Sequence, residues 1–266
     1  LVKAETQRRI ESGEATSDDF ADLAHVFLLS EDPAQSRGIS LRGLARFSND
    51  PQLERLLSES YRVEYLHKLR GKDDEPPEMD VGLLTSAFES DPTNPAICVE
   101  TAKLLLVGKE VPTPLQSDLK ERLSNGSALA MAHVYAADGL LARGELALAI
   151  PHLEAALKKD PRDPSVMNNL ALALAKTDPK SLQRALELST SATTQEPSNL
   201  EFVDTLGEIR ALVDDLVGAV ECYEFVIRAD PKRVDTRQRL AQAYKDLGLP
   251  DMAKRQEQIL QSASVE

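Results

Sequence analysis

The sequence predicts an all-α chain of antiparallel helix hairpins, and three observations carry that expectation. Hydrophobic residues fill 42% of the 266 positions, while aromatic residues fill only 4% and tryptophan is absent. A core made mostly of Leu, Ala, Val and Ile suits packed helices better than a sheet sandwich. Apolar side chains recur at helical spacing along the chain. Finally, the pairs Asp32-Pro33, Asp50-Pro51, Asp91-Pro92, Asp160-Pro161, Glu196-Pro197 and Asp230-Pro231 punctuate it at hairpin intervals. A proline just past a helical run cannot continue that helix.

In chain order, Phe20, Leu23, Ala24, Phe27 and Leu28 form a first helical stripe. Ile39, Leu41, Leu44 and Phe47 fit a shorter helix, and Leu53, Leu56, Leu57, Tyr61 and Tyr65 belong to a third. The segment Gly71 to Met79, with Lys72, Asp73, Asp74, Glu75, Pro76 and Pro77, reads as an exposed loop, because helical patterning resumes at Val81. Cys98 and Cys222 lie far apart in apparent helix interiors and read as two packed free thiols.

Beyond residue 126 a repeat emerges. Pro161, Pro197 and Pro231 are separated by 36 and 34 residues, and Ala149, Ala185, Ala219 and Ala253 by 36, 34 and 34. Each alanine falls in the second helix of its period, where a methyl group lets two helices approach closely. Small residues recur in the first helices at Ala137, Ala171, Gly207 and Ala241. Asp163-Pro164 and Asp178-Pro179 each place an N-cap before a proline at the first helical position. Leu146, Ile150, Leu153 and Leu157 share one face of a helix that a neighbour has to cover.

This pattern resembles the tetratricopeptide repeat family, with a 34-residue period, a large and a small residue in helix A, alanine early in helix B and a closing proline. Four units match, beginning near Ala130, Pro164, Leu200 and Val234; the first also has Gly144 at the turn and Ala156. No unit has the family's tryptophan, the second carries a two-residue insertion around Lys176 to Asp178, and Glu257 stands where an apolar residue is usual. The resemblance implies a right-handed α-solenoid, a tetratricopeptide-like superhelix. Residues 127–266 form its four units with a C-terminal capping helix. Residues 1–126 are irregular, degenerate hairpins leading into them, or else a distinct helical domain. Within that stretch Pro95 to Gly126 looks like a degenerate unit, with Ala102 at the small position, a long loop from Gly108 to Pro114 and a short second helix. Glu257, Gln261 and Ser262 are expected to make the last helix polar on its outer face.

The net charge of −13, from 31 Lys and Arg against 44 Asp and Glu, argues against nucleic acid or an anionic membrane surface as a partner. No stretch reaches the roughly 18 apolar residues that span a bilayer, and no signal peptide is evident. The chain is expected to be soluble as supplied, with the cytoplasm favoured. There is no metal-ligand cluster, phosphate loop or nucleophile elbow. His25, His67, His133 and His152 are isolated in sequence, and His133 reads as a satisfied core histidine. The expectation is therefore no enzyme, no catalytic residue, no metal and no cofactor.

The resemblance implies instead a scaffold that holds a partner protein or peptide in a groove lined by the first helices. Its usual groove positions are Met131, Val134, Tyr135 and Asp138, then Asn168, Asn169 and Leu172, then Glu201, Asp204 and Glu208, then Gln238, Arg239 and Gln242. A fitting ligand brings an apolar anchor followed by a basic or polar segment. Asp204 and Glu208, four apart on one helix, repel unless a cation answers them, whether from a partner or from Arg210 or Lys side chains nearby. The Lys-rich clamp with which some family members grip acidic chaperone tails is matched only at Asn169; Val134, Glu201 and Thr205 occupy its basic positions, so no chaperone-tail binding is expected. Two other readings stand beside the scaffold. Starting at Leu1 rather than Met, the chain could be the repeat region of a longer enzyme or membrane-anchored assembly factor. It could also be a self-associating structural module, a homo-oligomer.

Overall fold

The computed structural model describes residues 2–71 and 77–263, with side chains for 4–71 and 77–261. All regular elements among them are helical. Contacts divide the chain into two units, Leu1–Ala132 and His133–Glu266.

The first unit contains α1 (Val2–Ser12), α2 (Ser17–Leu29), α3 (Pro33–Arg46), α4 (Pro51–Arg70), α5 (Val81–Ser90), α6 (Pro95–Leu106) and α7 (Thr113–Asn125). The starts of α2 to α6 are fixed by side-chain caps, which satisfy amide groups that have no partner in the first turn. Thr16 and Asp19 form a capping box on α2. The Asp50 carboxylate accepts from the Gln52 and Leu53 amides at 3.0 and 3.1 Å, ahead of Pro51. Phe20, Leu23, Ala24, Ile39, Leu53 and Leu56 close one core, and Leu84, Ala87, Ile97, Leu104, Val111 and Leu115 a second.

Two expectations need correcting here. Of the stripe on α3, Ile39 is buried and Leu44 and Phe47 pack against the first core, but Leu41 is 48% exposed, and the other buried residues are Pro33, Ser36, Ser40 and Gly43. Small side chains win because α3 lies against both α2 and α4; a Cβ on Gly43 would come within 2.8 Å of Leu53 Cδ1. The second helix of the Pro95 to Gly126 hairpin is not short either. Helix α7 runs for 13 residues because it starts at Thr113, taking Pro114 into its first turn, where a missing amide hydrogen costs nothing. Of the expected loop, Lys72 to Pro76 lie outside the described residues, while Pro77 and Glu78 are exposed.

Helix α8 (Ala130–Ala142) runs across the division into the second unit. The others there are α9 (Leu146–Lys159), α10 (Pro164–Thr177), α11 (Leu182–Gln195), α12 (Leu200–Leu212), α13 (Leu216–Ala229), α14 (Val234–Asp246) and α15 (Pro250–Ala263). Thus α8, α10, α12 and α14 begin at the four residues expected from the repeat. From α9 onward each helix packs on the next, and α12 also touches α10 and α14, the packing of a helical-hairpin solenoid.

Ala149, Ala185 and Ala219 are fully buried and Ala253 is 2% exposed. At Gly207 even a methyl group is too large: its Cβ would sit 2.7 Å from Tyr223 Cε1 and 3.0 Å from Cys222 Cβ. The insertion in the second unit becomes a one-turn 3-10 helix, Pro179–Ser181, capped by Asp178, which accepts from the Lys180 amide at 3.0 Å and the Ser181 hydroxyl at 2.7 Å. Glu257 is partly exposed on the last helix and paired. Its carboxylate meets Lys245 Nζ of α14 at 2.6 Å. The Ser262 side chain lies outside those described.

Candidate functional site

The groove positions fall on α8, α10, α12 and α14. Met131 is 46% exposed, Val134 packs partly into the core, and Tyr135, Asp138, Asn169 and Leu172 are half-buried. Asn168 is more enclosed than a groove residue should be, at 6% exposed. Glu201, Gln238 and Gln242 are exposed, while Asp204, Glu208 and Arg239 are half-buried.

What joins these residues is a set of contacts between one hairpin and the next. Asn169 Nδ2 donates to Asp138 Oδ1 at 3.5 Å, and within α10 itself Asn168 Nδ2 donates to Asn169 Oδ1 at 3.4 Å. Lys176 Nζ lies 3.0 Å from Glu208 Oε1. Arg239 Nη2 donates to Asp204 Oδ2 at 3.2 Å, and Arg233 Nη2 to Glu201 Oε1 at 2.6 Å. The three acidic residues are therefore answered from within the chain. Arg210 takes no part; it turns to the Gly218 carbonyl at 3.2 Å and to Asp215 at 3.7 Å.

Exposed pairs of this kind contribute roughly 0–1 kcal/mol each, so they align the helices more than they stabilise them. The Asp204 pair is the most enclosed, with the Asp204 side chain 13% exposed. Burial pushes its carboxyl up, against the downward pull of Arg239. Asp204 Oδ1, Arg239 Nε and Asn168 Oδ1 are buried without a hydrogen-bond partner. Burial, and then the charge of Asp163, also push the Asp138 carboxyl up.

Sequence reasoning missed one pairing and two clefts. His133 and His152, isolated in sequence, meet with Nδ1 to Nδ1 at 3.2 Å. His133 is buried as expected but not satisfied, because its Nε2 has no partner. In the first unit a cleft of about 650 Å³ opens between α2, α4 and the start of α6, walled by Leu28, Leu29, Leu56 and Val63 with Arg55 and Asn94. In the second, an open cleft of about 930 Å³ runs beside α11, lined by Met167, Leu186, Thr190 and Thr194. Both are made by residues from separate helices, which no local pattern connects.

Among the described residues no group of three or more His, Cys, Asp or Glu side chains could hold a metal ion. Both cysteines are free and buried. Burial pushes the Cys98 thiol up to about 11 and raises Cys222 as well, which disfavours the thiolate that a nucleophile needs. No helix among the described residues is long and apolar enough to cross a membrane.

No sequence-family model and no curated protein sequence matches the chain. Solved structures do. A mutant of MamA superposes with a TM-score of 0.51 at 14% identity, covering 65% of this chain and 98% of that one. MamA AMB-1 gives 0.50, also at 14% identity, over 62% of this chain and 95% of that one. At this identity the likeness is one of fold. Together with the repeat register it makes the architecture an all-α, tetratricopeptide-like solenoid.

Proposed function

We propose that this tetratricopeptide-type chain is a non-catalytic protein-interaction scaffold, and that the second unit takes an extended segment of a partner protein across α8, α10, α12 and α14. The regular repeats of 127–266 carry the binding face in this reading, with the irregular hairpins of 1–126 as a separate part of the scaffold. The observation that carries it is the series of contacts Asp138 to Asn169, Lys176 to Glu208, Asp204 to Arg239 and Glu201 to Arg233. Residues from four successive hairpins thereby share one face, long enough for an extended chain. Met131, Val134, Tyr135 and Leu172 suit an apolar anchor, and the amides and paired charges beyond them suit a polar segment. A basic group on the partner would compete with Lys176, Arg233 or Arg239 for a carboxylate already paired, so its gain is small.

Photocrosslinking tests this reading. A photoreactive residue at Tyr135 or Gln242 is expected to capture the same partner from source-cell extract. One at Leu148, which is 61% exposed on α9, is not. Equal capture from all three positions would remove the face from consideration.

A further inference from the structure

Three of the four hairpins of the second unit share a seat that brings together a residue of the first helix and one 19 positions later on the second. In the third hairpin it is filled by Val203 and Cys222, which belong to one apolar cluster. In the fourth, Arg237 Nη1 donates to Gln256 Oε1 at 2.7 Å. In the first, His133 and His152 meet there, ring centroids 5.5 Å apart. It is the one of these three pairs whose contact depends on how many protons it carries.

Two imidazoles facing each other through Nδ1 at 3.2 Å hold one proton between them. With none, two lone pairs oppose; with two, two N–H groups do. The neutral pair is satisfied when His133 donates from Nδ1, because its buried Nε2 then carries only a bare lone pair rather than an orphaned N–H. A further proton, with the shared one kept, has to sit on that Nε2, in a residue 2% exposed and with no acceptor. A second forces two cations together and breaks the contact. The alternative is for the helices to part and let water reach the rings.

We propose that His133 and His152 form a proton-operated latch, which keeps the α8/α9 hairpin closed at neutral pH and lets it open on acidification. The surroundings favour release. Burial lowers the proton affinity of both rings, and His152 and then Lys159 lower that of His133 further. Of the charged groups on α8, α9 and α10 that are described, Lys159 is the one acting on the pair, and it has the same sign as the added proton. Next to His152, Pro151 lies inside α9 and has no amide hydrogen to give the Ala147 carbonyl, so this turn has one helical bond fewer to lose. The sign follows from linkage. Both rings bind protons more weakly folded than unfolded, so the latch's contribution is complete above the unfolded value of about 6.5 and is lost as pH falls through the lowered folded values.

The test uses the whole chain. Ring nitrogen NMR at pH 7.5 is expected to find His133 protonated on Nδ1 and unprotonated on Nε2, with both rings titrating below the ordinary 6.5. Urea midpoints followed by circular dichroism should fall between pH 7.5 and 5.5 in the wild type. In His133→Phe/His152→Gln the fall should be less than half as large. Equal falls in the two proteins, or ring midpoints at or above 6.5, would overturn the latch. The ring titrations need no variant, so they decide the matter even where the double substitution does not fold.

Discussion

The two units bring helices together by different means. In the second, close approach is set by alanine at one register, Ala149, Ala185, Ala219 and Ala253, repeated once per hairpin. In the first, α3 meets α2 and α4 through Ser36, Ser40 and Gly43, and the hydroxyls of Ser36 and Ser40 are fully buried with no hydrogen-bond partner. Both devices put a small side chain at the contact. Only the alanine seat strands no polar group, since a methyl needs no partner and a hydroxyl does. A repeated seat can therefore be filled by alanine and read from sequence as a period, whereas a seat used once shows no pattern that distinguishes it from surface serine.

Ala219→Phe should have the largest effect of the changes that probe this contrast. Forcing a ring into a fully buried methyl site is expected to destabilise by about 1–3 kcal/mol, read as a lower urea midpoint. An unchanged midpoint would mean that the alanine register is not where the hairpins close. The turns give a second comparison. Gly144, Asp214 and Gly248 occupy the same position in three hairpins, all with left-handed backbone, φ +74°, +64° and +72°. Asp214→Gly relieves a side chain from that conformation and should raise stability by up to about 1 kcal/mol. A lower melting temperature would show that the aspartate stabilises the turn more than its backbone strain costs. The smallest effect is expected in the first unit, where Ser40→Ala removes the stranded hydroxyl and should stabilise by about 0.5 kcal/mol. A loss of stability there would reveal a partner for the hydroxyl and erase the distinction between the units.

Repetition also decided what could be read in advance. The starts of α8, α10, α12 and α14 were legible because caps, prolines and alanines recur together. The first unit was legible as helices but only partly as faces: Ile39, Leu44 and Phe47 of the α3 stripe pack into the core while Leu41 is exposed, and the buried Ser36, Ser40 and Gly43 carry no apolar signal. At the candidate face the side chains were identified one by one, but their partners were not. Asp204 and Glu208 were visible as an uncompensated pair, while the cations answering them stand on α14 and α10. A signal did exist. Lys176 precedes Glu208 by 32 residues, Glu201 precedes Arg233 by 32 and Asp204 precedes Arg239 by 35, so a search for opposite charges one period apart would have found all three. A search for polar pairs 19 apart finds the histidines.

Those cross-repeat pairs make the order of the units part of the fold. Arg233 and Arg239 in the fourth repeat are complementary to Glu201 and Asp204 in the third, and Lys176 in the second to Glu208 in the third. Exchange the third repeat with either neighbour and its carboxylates lose cations that answer them, although every alanine still finds its seat. Shape would tolerate that exchange and charge would not, so a chain that lengthened by copying its third unit would have to supply new cations at the junction between the copies.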